Sequence, residues 1–271
     1  VNLRVGGFYG LPPGHAVRGL REELQRGLDT ARQLTQAIAD FSFPDYHHDY
    51  TCVSLRHPDE YAICEGDIVS NRGLEIPVAE FEEHFEERHM ARSNALHGVM
   101  KADPAPYLVG PIARYNNNFD QLTPLAKETA RAAGLGPIVD NPFRSILVRM
   151  VETVYAFEEA LRLVQNYREP EQAWIPVEPR SARGTGCTEA PRGICYHRYD
   201  LDADGRILQA RIIPPTAQNQ PQIEQDLLGV AQENLALPDN ELQWVCEQTI
   251  RNYDPCISCA THFLRLTVDR G

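Results

Sequence analysis

Apolar residues return at steps of three and four between Val17 and Phe41, where Val17, Leu20, Leu24, Leu28, Ala31, Leu34 and Ile38 share one side of a proline-free stretch. That spacing predicts a helix with a single buried face. A second stretch, Phe143 to Tyr167, opens after Asn141-Pro142. It is apolar enough, through Ile146, Leu147, Met150, Val151, Val154, Phe157, Leu161 and Val164, to predict a largely buried helix. Two helices of about 25 residues would each reach about 37 Å at 1.5 Å per residue. They make a helical bundle the expected spine of the fold.

Shorter elements fill the remainder. Residues Tyr46 to Ser70 read as short strands and loops, with Arg56-His57-Pro58-Asp59-Glu60 as a turn between two of them. Val78 to Met90 is short and acidic and predicts a helix, on which Glu86 and His89 form an i, i+3 pair. That pair reads as a solvated face in preference to a metal site. Ala102 to Pro111 is a proline-punctuated loop, Asn116-Asn117-Asn118 has turn or cap chemistry, and Leu122 to Ala133 is a helix stopped by Gly134.

After the connector Glu169 to Pro179, β-type runs appear at Ile194 to Leu201 and Arg206 to Ile213. Asp202-Ala203-Asp204-Gly205 between them is a hairpin signal. Helices are then expected over Pro221 to Leu235 and Asn240 to Asn252. The pattern predicts a mainly α fold of the α+β class: a long-helix bundle over 1–168, and a small hairpin followed by helices over 180–262.

Composition narrows the function. The 271 residues carry a net charge of −12, which argues against a nucleic-acid partner and an anionic membrane surface. No apolar run approaches the roughly 20 residues of a membrane span. Seven scattered cysteines are not a secreted disulfide framework, so a cytoplasmic location is expected.

Chemistry concentrates in three places. Asp254-Pro255-Cys256-Ile257-Ser258-Cys259-Ala260-Thr261-His262 places two thiols three apart and a histidine three further on, all able to face one side over about two helical turns. By itself the dithiol reads equally as a redox pair, half of a four-cysteine zinc site, or two small buried side chains. Glu189-Ala190-Pro191-Arg192-Gly193 holds an arginine between a stiff and a permissive neighbour; by itself it reads more often as a surface arginine in a loop than as a guanidinium presented over a site. Pro215-Thr216-Ala217-Gln218-Asn219 is a polar cluster on a rigid turn, able to offer donors to a ligand or to cap the helix that follows.

In this order and at this spacing, the three stretches resemble the large subunit of nickel–iron hydrogenases. Tyr107-Leu108-Val109-Gly110-Pro111 and Ser93-Asn94-Ala95-Leu96-His97 are similar to its cytoplasmic, NAD(P)-linked branch. The resemblance implies heterolytic cleavage or formation of hydrogen at a nickel–iron centre with carbon monoxide and cyanide ligands. Cys256 would then be a terminal nickel ligand and Cys259 a bridging thiolate. Arg192 would be the suspended base and Asp254 its carboxylate partner. Pro191 and Thr216 would mark groups that hydrogen-bond the cyanides, and His262 a magnesium ligand and the last residue of the processed subunit.

Partners implied by the same resemblance are an iron–sulfur small subunit, diaphorase-type subunits, nickel-insertion factors and a maturation protease that removes 263–271. The family's first Cys-x-x-Cys motif is not present, so this chain is expected to be the C-terminal part of a longer subunit, unable alone to hold the metal pair. Cys187 and Cys195 are expected to be small buried hydrophobes. Two other readings compete. One is a non-catalytic scaffold like the related quinone-site subunit of respiratory complex I; the other is a structural zinc or thiol-redox module.

Overall fold

The computed structural model describes residues 2–93 and 95–255. The chain opens with a minimal hairpin, β1 (Leu3–Arg4) and β2 (Gly7–Phe8), then α1 (Gly14–Gly19) and α2 (Arg21–Ala39). The helix predicted over Val17 to Phe41 is thus two segments, interrupted at Leu20. A three-stranded antiparallel sheet follows, from β3 (Val53–Arg56), β4 (Asp67–Ser70) and β5 (Glu75–Ile76).

The helix expected over Val78 to Met90 is corrected to a short α3 (Phe81–His84) running into strand β6 (Phe85–His89), which pairs with β7 (Leu96–Met100). Phe85 is buried and Phe81 stacks on it at 4.7 Å, so tertiary packing overrides the acidic helix pattern. On a strand, Glu86 and His89 point to opposite faces.

Next come α4 (Pro111–Asn118), α5 (Pro124–Ala132) and α6 (Ser145–Asn166). Gly134 takes φ +72° just past α5, the left-handed stop expected there. The asparagines 116–118 are not a turn. They end α4 and bond outward, Asn116 to both backbone groups of Val139, Asn117 to the Cys52 carbonyl, Asn118 to the Leu55 carbonyl. The α6 helix packs against α2 through Leu28, Ala31, Val154 and Leu161, and its other side closes the main core with Leu147, Val148 and Val151. These two helices are the expected spine.

The last part is a three-stranded antiparallel sheet, β8 (Ala182–Ala190), β9 (Gly193–Leu201) and β10 (Ile207–Ile213), then α7 (Pro215–Glu233) and α8 (Asp239–Arg251). The β9–β10 turn is the predicted one: Gly205 has φ +77° and Asp202 Oδ1 accepts from the amides of Asp204 and Arg206. Strand β8 was not legible as a strand, and α7 begins six residues before its predicted start, carrying Pro221 inside it. The mainly α, α+β class stands. No helix among the described residues is long and apolar enough to cross a membrane.

Candidate active site

Strands β8 and β9 are joined by only two residues, Pro191 and Arg192, with Ala190 paired to Gly193. Tight hairpins favour turns with positive φ at the first turn residue, and proline is locked near about −65°. This turn is therefore held from outside. Three successive carbonyls each accept a side-chain donor: Ala190 from Arg114 Nη1 (2.7 Å), Pro191 from Arg114 Nη2 (3.1 Å), and Arg192 from Asn219 Nδ2 (3.2 Å). Gly110, at φ +107°, lies so close that a Cβ there would stand 2.6 Å from the Arg192 carbonyl oxygen. Gly193, at φ +131°, likewise leaves room for Val109, whose Cγ2 would stand 2.4 Å from a Cβ there.

Arg114 spends all five N–H donors. Besides the two carbonyls it binds Glu152 through Nε (2.8 Å) and Nη2 (2.9 Å), and Glu189 through Nη1 (2.9 Å). Glu189 also accepts from the Leu55 amide at 2.9 Å, and Glu152 from the Tyr61 hydroxyl at 2.7 Å. Burial outweighs the Arg114 charge and pushes the Glu189 carboxyl up to about 7. Neither Arg114 nor Glu152 was singled out in the sequence. Arg114 in α4 is followed by Tyr115 and three asparagines, and Glu152 is one of several charged residues in α6, so neither stands out by pattern.

The polar cluster at the start of α7 is buried rather than presented to solvent. Asn219 clamps Val109 through its amide (2.8 Å) and carbonyl (3.1 Å), and Gln218 donates to the Ile194 carbonyl at 2.7 Å. Thr216 sits half-buried in the first turn of the helix, and α7 contributes Asn219 rather than Thr216 to the cleft described next.

Above this scaffold lies a cleft lined by Pro191, Arg192, Arg149, Asn252, Tyr253 and Asp254, with Leu108, Val109 and Ile112 as its apolar floor. The Arg192 guanidinium meets the Asp254 carboxylate at 3.1 Å and its Nε donates to the Asp254 carbonyl. The structure brings Pro191, Arg192 and Asp254 to one cleft, though Asp254 is 62 residues beyond the arginine. Sequence reasoning missed Arg149, whose charged form is disfavoured by burial and, to a lesser degree, by Arg192. Among the described residues, Arg149 Nε and Asn252 Nδ2 are buried without a hydrogen-bond partner.

Cys256, Cys259 and His262 lie outside the described residues. No group of three or more His, Cys, Asp and Glu among the described residues is placed to hold a metal. Glu86 instead accepts from Arg88 at 2.7 Å. Cys187 is buried as expected; Cys195 is only partly so, its Sγ 3.4 Å from His197 Nε2.

A model of the nickel-dependent hydrogenase family matches residues 101–262. The chain belongs to that family. It is 31% identical, over 98% of its length, to the sulfhydrogenase 1 subunit alpha of Pyrococcus furiosus, and spans 62% of that protein. It is also 31% identical to the subunit beta of the NAD-reducing hydrogenase HoxS of Cupriavidus necator, over 58% of this chain and 34% of that one. Among solved hydrogenase structures, an NAD+-reducing NiFe hydrogenase in the H2-reduced state superposes with a TM-score of 0.78 at 23% identity, covering 95% of this chain and 62% of that chain. A NiFeSe hydrogenase of Dm. baculatum does so with a TM-score of 0.63 at 18% identity, covering 97% and 63%. At those identities the structural likeness establishes the fold. The donors of Arg192, Arg149 and Asn252 line the same cleft and suit an electron-rich, anionic group.

Proposed function

We propose that this chain supplies the Arg192 face and two of the four thiolates of a nickel–iron hydrogenase centre, completed by the remaining length that its relatives possess. The observation that carries this reading is the Arg192–Asp254 pair, set in a donor-lined cleft two residues ahead of the Cys256–Cys259 motif. Cys256 and Cys259 would hold the metals, since soft thiolates suit nickel and iron, and His262 would bind magnesium. When bound, such a centre supplies the affinity for hydrogen that allows its heterolytic cleavage.

The chain's own residues handle the proton and the field. The Arg192 guanidine group serves as the base, or in its charged form steadies the anionic group beside it. Asp254 orients the guanidinium through its carboxylate and its carbonyl. Leu108, Val109 and Ile112 exclude bulk water below.

Further parts of this reading are a cytoplasmic location, carbon monoxide and cyanide on the iron, an iron–sulfur small subunit taking the electrons, diaphorase-type subunits, and a maturation protease acting after His262. The test is metal analysis and infrared spectroscopy of the full-length protein co-expressed with maturation factors. Stoichiometric nickel and iron with diatomic-ligand bands are expected, and Cys256→Ser should abolish hydrogen uptake. Zinc alone, no metal, or an active serine variant would refute it.

A further inference from the structure

The stretch that carries Asp254 takes an unusual backbone turn and is separately tethered. Helix α8 ends at Arg251, and Asp254 is the one non-glycine residue with positive φ (+46°) among the described residues. Positive φ is uncommon for any non-glycine residue, although aspartate tolerates it better than most. Contacts must hold the backbone there, and three successive residues have them. The Asn252 carbonyl accepts from Ser145 Oγ on α6 at 2.8 Å. The Asp254 carbonyl accepts from Arg192. Between them, the Tyr253 hydroxyl donates to Asp226 Oδ2 on α7 at 2.5 Å.

Asp226 is fully buried. Its Oδ2 accepts a second hydroxyl, that of Tyr50, also at 2.5 Å, and its Oδ1 accepts Gln222 Nε2 at 3.0 Å. Its one ion-pair contact among the described residues is His48 Nδ1, 3.5 Å from Oδ1. No guanidinium or ammonium neutralises it there. Two tyrosine hydroxyls and an amide therefore do most of the work of stabilising a buried carboxylate, which makes those bonds charge-assisted and short. A carboxylate so placed is costly for stability alone, because an apolar side chain would fill the space without the desolvation penalty.

We infer that Asp226 is a positioning residue: through Tyr253 it fixes the backbone of Asp254 and thereby the Arg192–Asp254 geometry of the cleft. Tyr50 braces the same carboxylate from the segment before β3, so the pin joins that segment, α7 and the end of α8. The functional consequence rests on the reading of the cleft given above; the mechanical claim does not.

The experiment uses the full-length protein with three variants: Asp226→Asn, Tyr253→Phe, and Leu161→Ala. The last cuts a cavity in the remote α2–α6 core and serves as a stability-matched control. Tyr253→Phe removes one hydroxyl and keeps the assembly measurable if Asp226→Asn does not fold. Hydrogen–deuterium exchange of the peptide spanning 249–255 should rise by about tenfold or more in both test variants and not in Leu161→Ala. In the metal-loaded enzyme the same two variants should shift the infrared bands of the iron-bound ligands and lower hydrogen oxidation by about 10- to 100-fold. Equal exchange in test and control variants overturns the pin. Raised exchange with unshifted bands and full activity overturns its role in the site. A wild-type protein lacking diatomic-ligand bands removes the metal reading alone, and the exchange result still decides the mechanical claim.

Discussion

The Arg192 guanidinium reaches both the side chain and the backbone of Asp254, joining a two-residue hairpin turn to the end of a helix 62 residues away. Neither end of this link is free to move. The turn is pinned by Arg114 and Asn219 through three carbonyls, and the helix end by Ser145 and Asp226. A flexible arginine thereby has one orientation toward the cleft, the requirement for a group that must act without reorganising.

Arg192→Lys is the sharpest probe of that orientation. Lysine keeps the charge and loses the planar fork that spans carboxylate and carbonyl together. In the metal-loaded full-length enzyme, hydrogen oxidation should fall by about 10²- to 10³-fold, with nickel and iron content unchanged. Rates near wild type would remove Arg192 from the chemistry.

Gly110→Ala tests the backbone contact under the turn. The glycine holds φ +107°, and the new methyl would be 2.6 Å from the Arg192 carbonyl oxygen. Strain and clash together should cost roughly 2–3 kcal/mol, seen as a lower urea midpoint with an unchanged m-value. A neutral result would mean that the two loops are not in backbone contact.

The bundle was legible because Leu28, Ala31, Val154 and Leu161 repeat at helical spacing and meet in one core. So was the Asp202–Gly205 hairpin, whose turn chemistry is local. Strand β8 was not, since Gly184, Thr185 and Gly186 carry no apolar alternation and five of its nine residues are exposed at the front. The segment Phe85–His89 reads as a helix because its acidic residues suggest a solvated face, while Phe85 is drawn into a stack on Phe81 and a tilted contact with Tyr107. In the cleft, Pro191, Arg192 and Asp254 are residues that motif order points to. Arg114, Arg149 and Asp226 are not, because their importance lies in partners distant along the chain. No local pattern reports that Arg114 on α4 faces Glu189 on β8.

Removing the Arg114 side chain should be among the most damaging single changes. Arg114→Met leaves Glu189, Glu152 and two carbonyls without their shared donor in a buried site. Breaking a buried pair from one side typically costs about 3–5 kcal/mol. Pairing it with Glu152→Met and Glu189→Met should recover a large part of that loss, since the stranded charges are removed with it. Chemical denaturation of the single and triple variants in the full-length protein measures both; a triple variant no more stable than Arg114→Met would contradict the assignment.

Glu189 gives the cluster a pH dependence of defined sign. Its carboxyl, raised from 4.5 to about 7 by burial, binds a proton in the folded protein over a range where the unfolded chain has released it. Stability falls with rising pH wherever the folded state holds more protons than the unfolded one. The contribution of Glu189 is therefore fully present below about pH 4.5, declines between about 4.5 and 7, and is flat above. A shift of this size corresponds to about 3 kcal/mol at most. Glu189→Gln cannot titrate, so its stability difference between pH 5 and pH 8 should be smaller than that of wild type, whatever constant offset the amide introduces against Arg114 and the Leu55 amide. Denaturation midpoints at the two pH values, for both proteins, test this directly. Parallel pH profiles would show that Glu189 is ionised throughout, its charge held by Arg114 in spite of burial.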